Sequence, residues 1–112
     1  MSMEAAVRFG WRELDVQTAA ARPGHWRVAD VREPDEFTGP LGHIEGAELV
    51  PLRGFLQAAA TWDKGAPVLL VCKVGGRSAQ AASALCHLGF REVMNLHGGM
   101  LAWNEAGLPV AR

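Results

Sequence analysis

The stretch Pro67-Val-Leu-Leu-Val-Cys72, followed by Lys73-Val-Gly-Gly-Arg-Ser78, decides the fold. Its first part is a continuous apolar run between a proline and two glycines, which is typical of a strand buried on both faces of a parallel sheet. From residue 79 onward, apolar side chains recur every three or four positions as far as Leu88. This spacing predicts an amphipathic helix that ends at Gly89. A buried strand, a glycine-containing loop and a helix therefore follow one another here.

The rest of the chain continues the alternation of strands and helices. Asp15 is a suitable N-cap for the first helix, and Pro34 opens a single helical turn with acidic residues after it. Such alternation is typical of an α/β domain with a mainly parallel central sheet. We predict strands at 26–31, 48–50, 67–72 and 93–97 and helices at 16–22, 34–37, 52–61, 79–88 and 100–106.

Composition and charge limit the class of protein. The 112 residues are enough for one compact domain, so we predict a single domain over 1–112. Hydrophobic residues make up 49% and charged residues 21% of the chain, as in ordinary globular domains. The formal net charge is −1, which gives no overall positive field to hold a nucleic acid or an anionic membrane.

Targeting signals and cysteine usage indicate the compartment. The first residues lack the basic and then apolar pattern of a secretion signal, and no apolar run is long enough to span a bilayer. Two cysteines are too few for the disulfide framework of a small secreted protein. We therefore expect a complete cytoplasmic protein with neither nucleic-acid nor membrane partners.

Cys72 is the candidate nucleophile. It ends the most buried of the predicted strands, and ligands of parallel sheets bind beyond the carboxyl ends of the strands. Gly75 and Gly76 allow backbone N–H groups to turn inward, and the following helix adds roughly half a positive charge at its N-terminus. Together with Lys73 and Arg77, these groups favour the thiolate and lower its pKa below the usual value of about 8.5. The sequence therefore predicts a local anion site around a reactive thiol.

The second cysteine and the histidines carry no comparable signal. Cys86 lies within the predicted helix on its apolar stripe, with no glycine or cation beside it, so we expect it to act as a small hydrophobic side chain. Histidines 25, 43, 87 and 97 and the two cysteines lack metal-ligand spacing, and residues 75–78 lack the Gly-Lys-Ser/Thr of a nucleotide-binding loop. We expect no metal and no cofactor.

Five motifs, in order along the chain, resemble those of single-domain rhodaneses. The resemblance implies a rhodanese-like fold, in which a central parallel sheet has helices on both faces. It also implies sulfurtransferase chemistry, in which the loop cysteine takes a sulfane sulfur from a donor and passes it to an acceptor. The motifs are Asp30-Val-Arg-Glu-Pro-Asp-Glu-Phe37, Gly42-His-Ile-Glu-Gly-Ala47, Cys72-Lys-Val-Gly-Gly-Arg-Ser78, Gly89-Phe90, and Leu96-His-Gly-Gly99 with Trp103, Gly107 and Pro109.

The resemblance also implies roles for particular residues. Cys72 would carry the sulfur, and Lys73 and Arg77 would guide an anionic donor. The implied donor is thiosulfate or a persulfide, and the implied acceptor is a thiol or cyanide, with a protein as an alternative donor or acceptor. The ring of backbone donors around the persulfide would comprise Lys73, Val74, Gly75, Gly76 and Arg77.

Two other functions share this loop. One is a persulfide carrier or sensor that acts with a protein partner and does not turn over small acceptors. The other is phosphatase or arsenate reductase chemistry, whose loops resemble C-x5-R. Here only four residues separate Cys72 from Arg77, and Ser78 stands where that arginine would be. A tighter ring suits one sulfur atom better than a tetrahedral anion, so we rank this second alternative lowest.

Structural roles are expected for the polar residues of the first two motifs. In the family these segments shape the wall behind the active loop. We expect Arg32 and Glu36 to form a local ion pair and His43 to fix a turn bounded by glycines, with Asp30 in the same wall. The connection 38–41 is longer than usual in the family, which leaves its local shape open.

Overall fold

A parallel sheet of five strands organises the fold of residues 10–112, which the computed structural model describes. The strand order is β1-β5-β4-β2-β3, and every neighbouring pair is parallel. The predicted rhodanese-like α/β fold is confirmed. The strands are β1 (Trp11–Leu14), β2 (Arg27–Asp30), β3 (Glu48–Leu49), β4 (Val68–Val71) and β5 (Val93–Leu96).

Strand β1 is absent from the prediction. It forms one edge of the sheet and pairs with β5 alone, and its two middle residues, Arg12 and Glu13, are exposed. A four-residue edge strand of this composition has neither an apolar run nor an alternating pattern, so the sequence carries no local signal for it. Its pairing with β5 is what places it.

The helices differ from the prediction mainly at their ends. Asp15 caps the first helix as expected, since its Oδ1 accepts a hydrogen bond of 2.7 Å from the N–H of Thr18. This helix stops at Ala20, and the predicted helix 52–61 is a 3-10 turn over Leu52–Gly54 followed by a short α-helix. The helices are α1 (Val16–Ala20), α2 (Pro34–Phe37), α3 (Phe55–Ala59), α4 (Gly76–His87) and α5 (Gly99–Glu105).

The largest correction concerns the start of α4. Residues 73–78 were predicted as loop with the helix beginning at 79, but α4 begins at Gly76 and takes in Arg77 and Ser78. Gly75 makes this early start favourable, because its φ of +112° turns the chain directly into the helix. The first turn of α4 is therefore part of the segment that carries the predicted chemistry.

Helices cover the sheet on both faces. Successive side chains of a strand point to opposite faces, so Val68, Leu70 and Cys72 pack toward α3 and α4, whereas Leu69 and Val71 pack toward α1 and α5. All four residues of β4 are fully buried. Each such Val or Leu side chain contributes about 1.5–3 kcal/mol of hydrophobic stabilisation. The strand that ends at Cys72 is thus firmly held on both sides.

The long connection after α2 closes onto the C-terminus. The N–H of Gly42 donates to the carbonyl of Gly39 (2.9 Å), and His43 forms an antiparallel bridge with Ala111. Gly42 has φ +62°, and a Cβ there would collide with the backbone of Ala111.

Over residues 10–112, no helix has the length and apolar character needed to cross a membrane.

Candidate active site

Cys72 directly follows β4, at the carboxyl edge of the sheet, and only 1% of it is exposed. The segment after it is tied to α5, because the N–H groups of Met100 and Leu101 donate to the carbonyls of Cys72 (2.9 Å) and Lys73 (3.1 Å). Gly99 has no room for a side chain, since a Cβ would overlap these same two carbonyl oxygens. The backbone beneath the thiol is therefore fixed by close packing against α5.

Three hydrogen-bond donors converge on the sulfur of Cys72. The N–H of Gly75 lies 3.1 Å from Sγ, the N–H of Ser78 lies 3.4 Å away, and the Ser78 hydroxyl lies 3.2 Å away. A sulfur atom that accepts several hydrogen bonds is favoured as an anion. This geometry belongs to a thiolate site.

The balance of forces on the thiol follows from these contacts. Burial disfavours the charged form, but hydrogen bonds from the Ser78 hydroxyl and from the backbone N–H groups of Ser78, Gly75 and Val74 outweigh it. The net effect lowers the pKa of Cys72. The direction of the shift agrees with the prediction, but its largest favourable contribution comes from Ser78 and not from the cations Lys73 and Arg77.

Ser78 has no assigned role in the sequence prediction, which noted only that it replaces a phosphatase arginine. It sits six residues after Cys72, in the first turn of α4, and is fully buried. A hydroxyl in the first turn of a helix that follows an anion-binding loop is the one local signal for this contact.

Two further backbone donors lie at the start of α4. The N–H groups of Gly76 and Arg77 open the helix, where no carbonyl of the preceding turn is placed to accept from them. Neither has an acceptor among the described residues. Lys73, Val74 and Gly76 are exposed, so the predicted loop residues form an open rim around the buried sulfur.

Arg77 is paired with Glu36 from α2, a residue 41 positions earlier in the chain. Its two terminal nitrogens lie 2.8 and 2.9 Å from the two carboxylate oxygens. Hydrogen bonding to Arg77, opposed by burial, lowers the pKa of Glu36 to about 2, and the guanidinium pKa is raised in return. The charge of Arg77 at the loop is thus largely compensated at neutral pH.

The expected ion pair between Arg32 and Glu36 is wrong. Arg32 is 1% exposed and pairs with the equally buried Asp30, its Nε and Nη2 lying 2.9 and 2.8 Å from the carboxylate. It also donates to the carbonyls of Glu36 and Gly42. A buried guanidinium requires its partners inside the fold, and the carboxylate of Glu36 is turned outward to Arg77 instead.

His43 has the contacts of a structural residue. Its Nδ1 lies 2.8 Å from the carbonyl oxygen of Phe37, and its ring stacks on the Phe37 ring with 3.7 Å between centroids.

Cys86 is half-buried on α4 and packs against the core, and burial raises the pKa of its thiol. The pKa values of the two thiols are therefore shifted in opposite directions.

Cavities lie both beside the loop and away from it. One of about 300 Å³ opens beside the loop, between Lys73, Leu101 and the Glu36 side of α2. The other, about 350 Å³, lies against Trp26 and Trp103, and none of residues 72–78 lines it. Within residues 10–112, no cluster of three or more His, Cys, Asp or Glu side chains is placed to hold a metal ion.

The family model described as "Rhodanese-like domain" matches residues 15–106. The chain belongs to the rhodanese-like domain family. The resemblance stated from the motifs is confirmed. A crystal structure of a rhodanese-related protein from Thermoplasma volcanium superposes with a TM-score of 0.82 at 27% identity, covering 89% of this chain and 97% of that one.

Curated relatives of this rhodanese-like chain include proteins with and without a named activity. Thiosulfate sulfurtransferase 16, a chloroplastic protein of Arabidopsis thaliana, is 39% identical over 98 residues, covering 77% of this chain and 79% of its own length. The uncharacterised protein slr1261 of Synechocystis is 36% identical over 85 residues, covering 76% of this chain. The chain spans 46% of the length of slr1261.

Proposed function

We propose that this rhodanese-like protein is a sulfurtransferase in which Cys72 carries a sulfane sulfur as a persulfide. The observation that carries the proposal is the convergence of three hydrogen-bond donors on Cys72 Sγ. The similarity to a relative named as a thiosulfate sulfurtransferase supports the same chemistry. Both point to a thiolate that attacks sulfur.

The first step loads the cysteine. The Cys72 thiolate attacks the outer sulfur of thiosulfate, a bond forms between the two sulfur atoms, and the sulfur–sulfur bond of thiosulfate breaks. Sulfite leaves with the electron pair of that bond, and the enzyme holds an anionic persulfide. A persulfide donor reacts in the same way and leaves as a thiolate. The lowered pKa of Cys72 increases the share of thiolate, and a thiolate attacks without a general base.

The loop residues then stabilise the outer sulfur. The N–H groups of Gly76 and Arg77 are free of acceptors, and we assign them, with the backbone of Lys73, Val74 and Gly75, to the binding of the persulfide anion. Oriented N–H dipoles at the start of a helix stabilise an anion that is placed against them. The loop is thus preorganised for a charge one atom further out than the thiolate.

The second step unloads the sulfur. A cyanide ion or a thiolate attacks the outer sulfur, the persulfide bond breaks, and its electrons return to Cys72 as thiolate. Thiocyanate or a new persulfide leaves, which completes a double displacement. The exposed Lys73 attracts anionic donors to the rim, whereas Arg77 contributes mainly through its backbone because Glu36 compensates its charge.

Steady-state kinetics with thiosulfate and cyanide test the proposal. Thiocyanate formation should be lost in Cys72→Ser. The matched control is Cys86→Ser, on the helix that follows the loop, and it should retain most of the rate. Equal losses in the two variants would contradict the role of Cys72. Formation of a Cys72 persulfide without thiocyanate turnover would instead indicate a carrier that needs a protein partner. Phosphate release from aryl phosphates should stay at background.

A further inference from the structure

The side chain of Asn95 connects the edge strand β1 to the reactive loop. Asn95 lies on β5 and is 2% exposed. Its Nδ2 donates to the carbonyl of Gly75 (3.1 Å) and to Oε2 of Glu13 on β1 (3.0 Å). The other oxygen of Glu13 lies 3.1 Å from Nδ1 of His97. A continuous polar chain therefore runs from the sheet edge to the residue that contacts Cys72.

The orientation of the Asn95 amide follows from its neighbours. The carbonyl of Gly75 and the carboxylate of Glu13 are both acceptors, so only the amino group can face them. As a result Oδ1 is buried and has no donor among the described residues. Proteins retain few such orphaned acceptors, and each one calls for a reason. Here the reason is that the amino group is needed on the loop side.

Gly75 is the residue on which the loop geometry depends. Its φ of +112° is accessible to glycine, but glycine also populates many other conformations at similar energy. Its N–H donates to Cys72 Sγ at 3.1 Å, and its carbonyl accepts from Ala79 at 3.1 Å as well as from Asn95. Without the contact from β5, only the first helical hydrogen bond of α4 would fix this carbonyl.

We propose that Asn95 is a positioning residue that holds Gly75 with its N–H directed at the sulfur of Cys72, in both the thiolate and the persulfide. Asn95 does not touch the reacting atoms and acts through Gly75. The inference rests on the proposed function of Cys72, because it describes how the fold maintains that site. It also gives the edge strand a role, since Glu13 on β1 fixes the amide.

The charged groups around this network come from several elements. Glu13 on β1 and His97 after β5 lie next to Asn95, and Arg77 on α4 interacts electrostatically with Cys72 while paired to Glu36 on α2. A neutral substitution at Asn95 leaves all of these charges in place. Any change in the ionisation of Cys72 is then due to the altered hydrogen bonding of the loop.

The test uses Cys86→Ser as background, so that Cys72 is the sole thiol. Asn95→Leu keeps the number and branching of the side-chain heavy atoms and removes the donors together with the orphaned oxygen. We measure the rate of Cys72 alkylation by iodoacetamide against pH, and the thermal midpoint of unfolding. The expected result is an alkylation midpoint raised by about 0.5–1 pH unit, which is a roughly three- to tenfold loss of thiolate at pH values below both midpoints, without a matching loss of thermal stability.

Asn104→Leu is the matched control. The Asn104 amide also makes two donations, to the carbonyls of Leu41 (3.1 Å) and Met100 (2.8 Å), but makes none to residues 72–78. This variant should lose thermal stability and keep the alkylation midpoint of the background. If Asn95→Leu does not fold, Asn95→Val, whose β-branched side chain suits a strand, is measured in the same way.

An unchanged alkylation midpoint in the folded Asn95 variant would overturn the inference. The midpoint is measured without any sulfur donor, so this result is separate from the proposed sulfur transfer. A shifted midpoint in a protein that forms no persulfide would retain the positioning role for the thiolate and reject the sulfurtransferase. An unshifted midpoint in a protein that does form the persulfide would reject the positioning role of Asn95 and retain the proposed sulfur transfer.

Discussion

Removal of the Ser78 hydroxyl should raise the pKa of Cys72. The hydroxyl lies 3.2 Å from Sγ in a fully buried position. Water therefore does not readily take its place as a hydrogen-bond donor when the hydroxyl is removed. A hydrogen bond to a charged group contributes about 1.5–3 kcal/mol, and one pKa unit corresponds to about 1.4 kcal/mol. Sulfur is a weak acceptor and two backbone donors remain, so Ser78→Ala is expected at the lower end, a rise of about 1 unit.

The assay is the pH dependence of iodoacetamide alkylation in the Cys86→Ser background. A pKa rise of about 1 unit makes the thiolate about tenfold scarcer at pH values below both midpoints, and the alkylation rate there falls with it. Ser83→Ala on the same helix is the control, because the Ser83 hydroxyl makes no hydrogen bond within residues 10–112 and the carbonyl that faces His87 is retained. A midpoint in Ser78→Ala equal to that of the control would refute the assignment of the hydroxyl as the leading donor.

Three further predictions concern the surroundings of the loop. Glu36→Gln should reduce the free energy of unfolding by up to about 1 kcal/mol at neutral pH. Because folding lowers the pKa of Glu36 from 4.5 to about 2, the difference from wild type should hold above pH 4.5 and vanish as the pH falls through about 2 in acid-unfolding titrations. Arg32→Met leaves a buried carboxylate without its partner and should cost about 3–5 kcal/mol in urea unfolding, against almost nothing for the exposed Arg53→Met. Gly99→Ala should displace the backbone under the thiol and slow its alkylation, whereas Gly107→Ala, with positive φ but open space, should lower only the thermal midpoint. Equal costs for the two arginine variants, or equal alkylation rates for the two glycine variants, would contradict these assignments.

The sequence was most informative where one local pattern dominates. The apolar run before Cys72 has to be a buried strand, and the glycines after it have to be a turn that leads into a helix. The parallel sheet and the position of the reactive thiol followed from these constraints. Both are consequences of short-range chemistry, namely burial, glycine conformation and helix periodicity.

Contacts between distant segments were beyond local reasoning. Edge strand β1 is defined by its pairing with β5, about 80 residues later, and Arg77 finds Glu36 across 41 residues. The wrong partner for Arg32 has a different cause, because the correct partner, Asp30, is only two residues away in the chain. A neighbour four residues away appeared suitable, but burial selected Asp30 because a fully desolvated guanidinium needs the carboxylate that is buried with it.

The predicted helix begins at 79, three residues after the observed start at Gly76, and this difference affected the prediction of the site. With Ser78 assigned to a loop, its hydroxyl had no defined direction. Once α4 starts at Gly76, Ser78 lies in the first helical turn and its N–H and hydroxyl both face the sulfur. The sequence thus placed Cys72 at the end of the buried strand, as the structure has it, while the contact of Ser78 with the sulfur was missed.

Intact-protein mass spectrometry tests the central claim most directly. The reduced and desalted protein is exposed briefly to thiosulfate, and wild type is compared with Cys72→Ser and Cys86→Ser. The account predicts one added sulfur atom in wild type and in Cys86→Ser, none in Cys72→Ser, and its removal by cyanide. An added sulfur that persists in folded Cys72→Ser, or none in wild type with either thiosulfate or a persulfide donor, would contradict it.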